Sequence, residues 1–107
     1  MIIEIDFIPP SLNVWQRMNR FKRSAINKKL VFLIFHQWIK DPKKFKKVLV
    51  EYYRPGNLDA DNLAASFKPI GDALVKCGII PDDSPEFLKL KSYNSKDKKV
   101  KVVIKKG

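Results

Sequence analysis

An α+β domain built on a mixed sheet is what this sequence predicts, and three observations predict it. Residues 2–8 and 98–105 alternate apolar and polar side chains, the period of a half-buried strand. Two stretches, 24–40 and 61–78, carry apolar residues at helical spacing instead. The chain has 107 residues, enough for one hydrophobic core and too few for two, so residues 1–107 form a single domain. The expected order is β-α-β-α-β-β, with two helices packed against the sheet.

The first strand places Ile3, Ile5 and Phe7 on one face and Glu4 and Asp6 on the other, and Pro9-Pro10 ends it. Ser11 to Trp15 reads as a loop. Residues 24–40 lack Gly and Pro and are too long for a strand, so a helix is expected there. Ile26, Leu30, Leu33 and Ile34 form one stripe, and Val31, Phe35, Trp38 and Ile39 widen it beyond what one sheet face covers. The excess apolar width marks a candidate subunit interface. His36, the only histidine, lies in this helix without a second His or a Cys cluster and reads as structural. Asp41-Pro42 closes the helix.

Residues 46–53 read as a second strand and Arg54 to Asn57 as a turn. The next helix is expected to begin near Asp61, an N-cap residue type, and to end at Gly78, a typical residue just past a helix end. Leu63, Phe67, Ile70 and Leu74 make its buried stripe. Asp61, Lys68 and Asp72 fall on the opposite side, and Pro69 predicts a kink. Ile79 to Pro85 is a loop. Residues 86–93 and 98–105 then read as a β-hairpin around Asn94 to Asp97. Eight lysines between Lys89 and Lys106 make it strongly positive.

Charge narrows the function. The net charge is +11, from 22 basic and 11 acidic residues, and at this size it points to a polyanionic partner, nucleic acid above all. From Phe7 to Lys40 there is no acidic residue, and Arg17, Arg20, Lys22 and Arg23 interleave with Trp15 and Phe21. Such cations bind phosphates, and such rings stack on exposed bases. A single cysteine, Cys77, excludes an intrachain disulfide and points to a reducing compartment. The longest apolar run, Leu30 to Phe35, is far too short to span a bilayer, and the N-terminus lacks the basic start of a signal peptide.

Against this basic background, five of the acids, Asp59, Asp61, Asp72, Asp82 and Asp83, fall in one segment. Gathered carboxylates in a basic protein imply a cation, and hard oxygen ligands suit Mg²⁺ or Mn²⁺. A calcium loop counted from Asp59 fails, because its sixth position is Ala64 rather than Gly and its twelfth Ile70 rather than Glu.

The ordered set Asp59-Ala-Asp61-Asn62-Leu63, Lys68, Gly71-Asp72-Ala73-Leu74 and Gly78-Ile79-Ile80-Pro81-Asp82-Asp83-Ser84 resembles the signature of the RusA-type Holliday junction resolvases. Pro10-Ser11-Leu12-Asn13 and the basic residues after it are similar to that family's N-terminal region. The resemblance covers nearly the whole chain. It implies a homodimeric, Mg²⁺-dependent endonuclease, often phage-encoded and cytoplasmic, that cuts paired strands of a four-way DNA junction. It places metal-binding, catalytic carboxylates at Asp59, Asp61 and Asp83, and a catalytic lysine at Lys68. Lys68 stands four residues before Asp72-Ala73-Leu74, as the family lysine does. The position one helical turn after the aspartates is Ala65 here. The contrasting expectation is a non-catalytic, basic nucleic-acid-binding module, which accounts for the charge but not for the gathered carboxylates.

Overall fold

A computed structural model describes all residues, 1–107, and bears out the α+β class. Four strands, β1 (Ile2–Ile5), β2 (Val48–Pro55), β3 (Leu88–Ser95) and β4 (Val100–Lys106), form one sheet in the order β1-β4-β2-β3. β2 and β3 are parallel, and the other two pairings are antiparallel. The helices α1 (Leu12–Arg17), α2 (Arg20–Trp38), α3 (Ala60–Ala65) and α4 (Lys68–Lys76) make a second layer.

The core lies between the two layers. Ile3, Ile5, Val50, Tyr52, Val102 and Ile104 face it from the sheet, and Leu30, Ile34, Ile70 and Leu74 from the helices, all at most 1% exposed. The expected stripe Leu63, Phe67, Ile70 and Leu74 is buried throughout. In α2 only Leu30 and Ile34 are fully buried, while Phe32, Phe35 and Ile39 are exposed.

The first expected helix is one helix preceded by another, and the second expected helix is two. Ser11 caps α1 by accepting from the Val14 N–H, so the stretch expected to be a loop is helical. Met18 then turns extended, and Asn19 caps α2 through the Lys22 N–H, so α2 starts at Arg20 rather than 24. The second helix breaks between Ala65 and Lys68. Pro69 does not kink a continuous helix; it sits in the first turn of α4, where its missing N–H costs nothing. The buried Ser66 hydroxyl bonds back to the Leu63 carbonyl (2.6 Å) and to the Tyr52 hydroxyl (2.9 Å), which ties this break to β2. Burial pushes the Tyr52 phenol up to about 12, so it stays neutral.

α4 ends as expected. Gly78 takes a positive φ of 77°, its N–H bonds to Val75 O, and the Ile79 N–H bonds to Leu74 O. This pair of hydrogen bonds closes the helix end and drops Ile79 and Ile80 into the core.

The expected hairpin is overturned. β3 and β4 do not pair; they flank β2, which lies between them. β2 is apolar on both faces (Val48, Leu49, Val50, Tyr52, Tyr53) and takes a central position. β3 carries Lys89, Lys91 and Lys96 at or beside the sheet edge, where lysine blocks further pairing.

Candidate functional site

The acidic segment is held at two places, one at each end of α3. At its start, Asp59 is the N-cap, two residues before the cap expected at Asp61. One of its oxygens accepts from the Asn62 backbone N–H and the other from the Asn62 side-chain amide, both at 2.9 Å. These bonds, the backbone one foremost, hold the Asp59 carboxyl below the usual carboxylate range. Asp61 is exposed in the first turn of α3, where a negative charge favours the helix dipole. The loop leading in is clamped by Asn94 of β3, whose side chain accepts from the Leu58 N–H (2.9 Å) and donates to the Leu58 carbonyl (2.8 Å).

Past the other end of α3, Lys68 Nζ lies 3.0 Å from Asp83 Oδ2 and 3.2 Å from Asp72 Oδ1. The Asp72 contact is an i,i+4 pair on α4, whereas the Asp83 contact closes the loop after Gly78 back onto the helix start. Asp83 packs over Gly71, where an added Cβ would meet Asp83 Oδ2 at 3.2 Å and the Phe67 ring at 3.3 Å. The glycine is therefore what lets the Asp83 side chain approach α4. Partial burial pushes Asp83 up, but the bond and charge of Lys68 outweigh it and hold the carboxyl low. The same bond from Asp83 raises Lys68. Asp82 is exposed and accepts from the Asp83 N–H, a turn role.

Asp59, Asp61 and Asp83 are not brought together. α3, six residues and about 9 Å long, separates the Asp59 end from Lys68. No cluster of three His, Cys, Asp or Glu side chains stands where it could hold a metal. Both Asp59 oxygens are engaged by Asn62, and Lys68 already supplies positive charge to Asp83. Asp59, Asp61 and Asp83 thus stand in two groups here, one at each end of α3.

The basic residues divide as well. Arg17, Arg20 and Lys22 are exposed and free of acidic partners. Arg23 is turned inward: Nε donates to Trp15 O (3.0 Å), Nη2 to Gln16 O (2.9 Å), and the guanidinium lies 5.9 Å from the Trp15 ring centre. It braces the end of α1 against α2. Residue pattern alone could not separate it from its neighbours, because the distinction lies in which carbonyls the α1–α2 bend leaves within reach. Arg54, which read as a turn residue, is buried and donates to the Pro9 carbonyl (2.8 and 3.0 Å) and to its neighbour Pro55. It anchors the segment entering α1 to the end of β2. α1 packs on α3 and α2 on α4, so the free cations and the carboxylates share one helical layer. The chain matches no known family model and no curated protein.

Proposed function

We propose that this chain is a structure-selective DNA endonuclease acting on four-way or branched DNA, as a homodimer with Mg²⁺ (or Mn²⁺) as activator. One observation carries the reading: Lys68 is held between Asp72 and Asp83 in the same layer as a surface of unpaired cations. An ammonium has three N–H donors. Two carboxylates engage it here and leave a donor for a phosphate oxygen, where it would offset charge as the phosphodiester breaks.

The helix starts support the same reading. Arg20 and Lys22 stand in the first turn of α2, which holds no acidic residue. Cations there oppose the helix dipole, and a phosphate against the free N–H groups relieves both. Phe32 and Phe35 on α2 and Ile39 at its C-cap are spaced i, i+3, i+7 and are exposed, which supports a second copy on that face. Two matched incisions in a two-fold junction call for two sites related by the same symmetry. No helix is long and apolar enough to cross a membrane. The single free cysteine, Cys77, fits a cytoplasmic setting.

A second reading, a non-catalytic nucleic-acid-binding module, is favoured by the separation of Asp59 and Asp61 from Asp83. Incubating the protein with a synthetic four-way junction, with and without Mg²⁺, separates the two. Paired incisions that need the cation and disappear in Lys68→Ala establish the nuclease; tight junction binding without strand scission establishes the module.

A further inference from the structure

The helices cover one face of the sheet and leave the other open. No odd-numbered residue from 49 to 53, 89 to 93 or 101 to 105 is buried. The register sets these residues in rows. Lys101 stands opposite Tyr53 and Tyr53 opposite Tyr93; the next rows are Val103–Glu51–Lys91 and Lys105–Leu49–Lys89. The first row is stacked: Lys101 Nζ lies 5.1 Å from the Tyr53 ring centre, and the Tyr53 and Tyr93 rings are 5.0 Å apart at 18°. β3 is an edge strand, so the stack ends at Tyr93, which is 41% exposed and has nothing beyond it.

We propose that this open face binds single-stranded nucleic acid, with an unpaired base extending the Lys101–Tyr53–Tyr93 stack. An aromatic face at the end of a stack takes any base, because every base has a π-face, but only if that base is free of a duplex. The backbone has a path to follow. Lys89 and Lys105 lie about 13 Å along the sheet from the tyrosines, at ~3.3 Å per residue. From there the face runs into a depression bordered by Lys47, Lys89 and Lys106, with Glu86 the one acid on its rim. The Gly107 N–H bonds to Lys47 O at 3.0 Å and holds the end of β4 against the start of β2. Lys105 pairs with Glu51 at 3.2 Å, whereas Lys89, Lys91 and Lys101 form no ion pair, and Glu4 of β1 stands opposite Lys101. A second copy packed face to face would set the lysines against each other, whereas a polyanion pairs with them. The tyrosine stack lies on the face away from the helical layer that carries Lys68, while Lys89, at the β3 edge, also borders the depression that holds Lys68 and Asp83.

The test uses the full chain with a 5′-labelled twelve-nucleotide oligothymidylate and, as control, a hairpin duplex, read by fluorescence anisotropy. Tyr93→Leu weakens single-strand binding by about tenfold. Tyr93→Phe retains it, and duplex affinity is unchanged in both. Lys89→Gln with Lys91→Gln flattens the salt dependence for the single strand by roughly 0.7 per lost contact. Wild-type affinity of Tyr93→Leu for the oligonucleotide overturns the proposal, as does a wild-type chain that fails to bind it. A change in sedimentation of Tyr93→Leu without a change in binding also overturns it, in favour of a contact between copies. Loss of junction cleavage in Lys68→Ala with single-strand binding intact leaves the proposal standing.

Discussion

Asp59 and Asp83 sit twenty-four residues apart in the same acidic segment, yet different forces hold them. Asp59 is held within its own helix turn, by groups three residues on. Asp83 is held by Lys68 and by the room over Gly71, fifteen and twelve residues away. A carboxylate fixed locally keeps its geometry wherever the helix goes. One fixed by tertiary contact keeps it only while the loop after Gly78 stays folded onto α4. The first is a capping residue that could also serve chemistry; the second forms a charged cluster no local rule requires.

The largest effects expected test that difference in function. Lys68→Ala is expected to lower junction cleavage by about a hundredfold in single-turnover assays, with affinity changed only a few-fold. Asp83→Asn should cut cleavage as strongly while junction binding stays equal or tightens, because a negative charge near phosphate is gone. Equal loss from Asp59→Asn, whose amide still caps the helix, would show that the two ends work as one site. Cleavage at the wild-type rate in Asp59→Asn would confine the chemistry to the Lys68 end.

Neutralising Arg17, Arg20 and Lys22 should flatten the log–log salt dependence of junction binding by roughly 0.9 per lost contact. Adding Arg23→Gln should change the slope little further and lower the melting temperature, since Arg23 bonds to Trp15 and Gln16. If the fourth change moves the slope as much as each of the first three, Arg23 also reaches the DNA.

Stability sharpens the same contrast on a smaller scale. Tyr52→Phe removes the hydroxyl that holds Ser66 at the α3–α4 break and is expected to cost about 1 kcal/mol in urea unfolding. Asp59→Ala should cost about 1 kcal/mol as a lost cap, and Asp59→Asn close to nothing. Hydrogen exchange distinguishes them: Tyr52→Phe should loosen the start of α4, and Asp59→Ala only the first turn of α3.

The smallest effect concerns pH. Asp83 is held low, so its contribution is present above the ordinary carboxylate pKa, about 4, and fades as pH falls through its depressed value. Lys68 is held high, so its contribution is present below about 10.4 and fades only as pH rises through its raised value. The stability difference between wild type and Asp83→Asn should therefore stay constant from about pH 5 to 9, begin to fall near pH 4, and vanish only below the depressed value of Asp83. With Lys68 65% exposed, that difference should not exceed ~1 kcal/mol. A slope between pH 5 and 9 would mean another group titrates with the pair.

Much of this molecule follows from the sequence by itself. Alternation marked β1 and β4, the apolar stripe marked the buried side of α3 and α4, and Gly78 marked the end of α4, because each signal acts within one or two turns of chain. Asp59 and Asp61 at a helix start were legible for the same reason, and so was the net charge of +11, which is a plain sum. Tertiary structure decided the rest. Asn94 to Asp97 looked like a hairpin turn, yet β2 took the place between β3 and β4, because a strand apolar on both faces gains most where it is paired on both sides. The two helices became four, since Ser11 and Asn19 capped one bend and Ser66 bonded to Tyr52 at the other. Which of four adjacent cations would turn inward, and that Asp83 would meet Lys68 rather than Asp59, depended on distances that exist only once the chain has closed on itself. Periodicity records what each residue faces; it does not record which distant residue will be there.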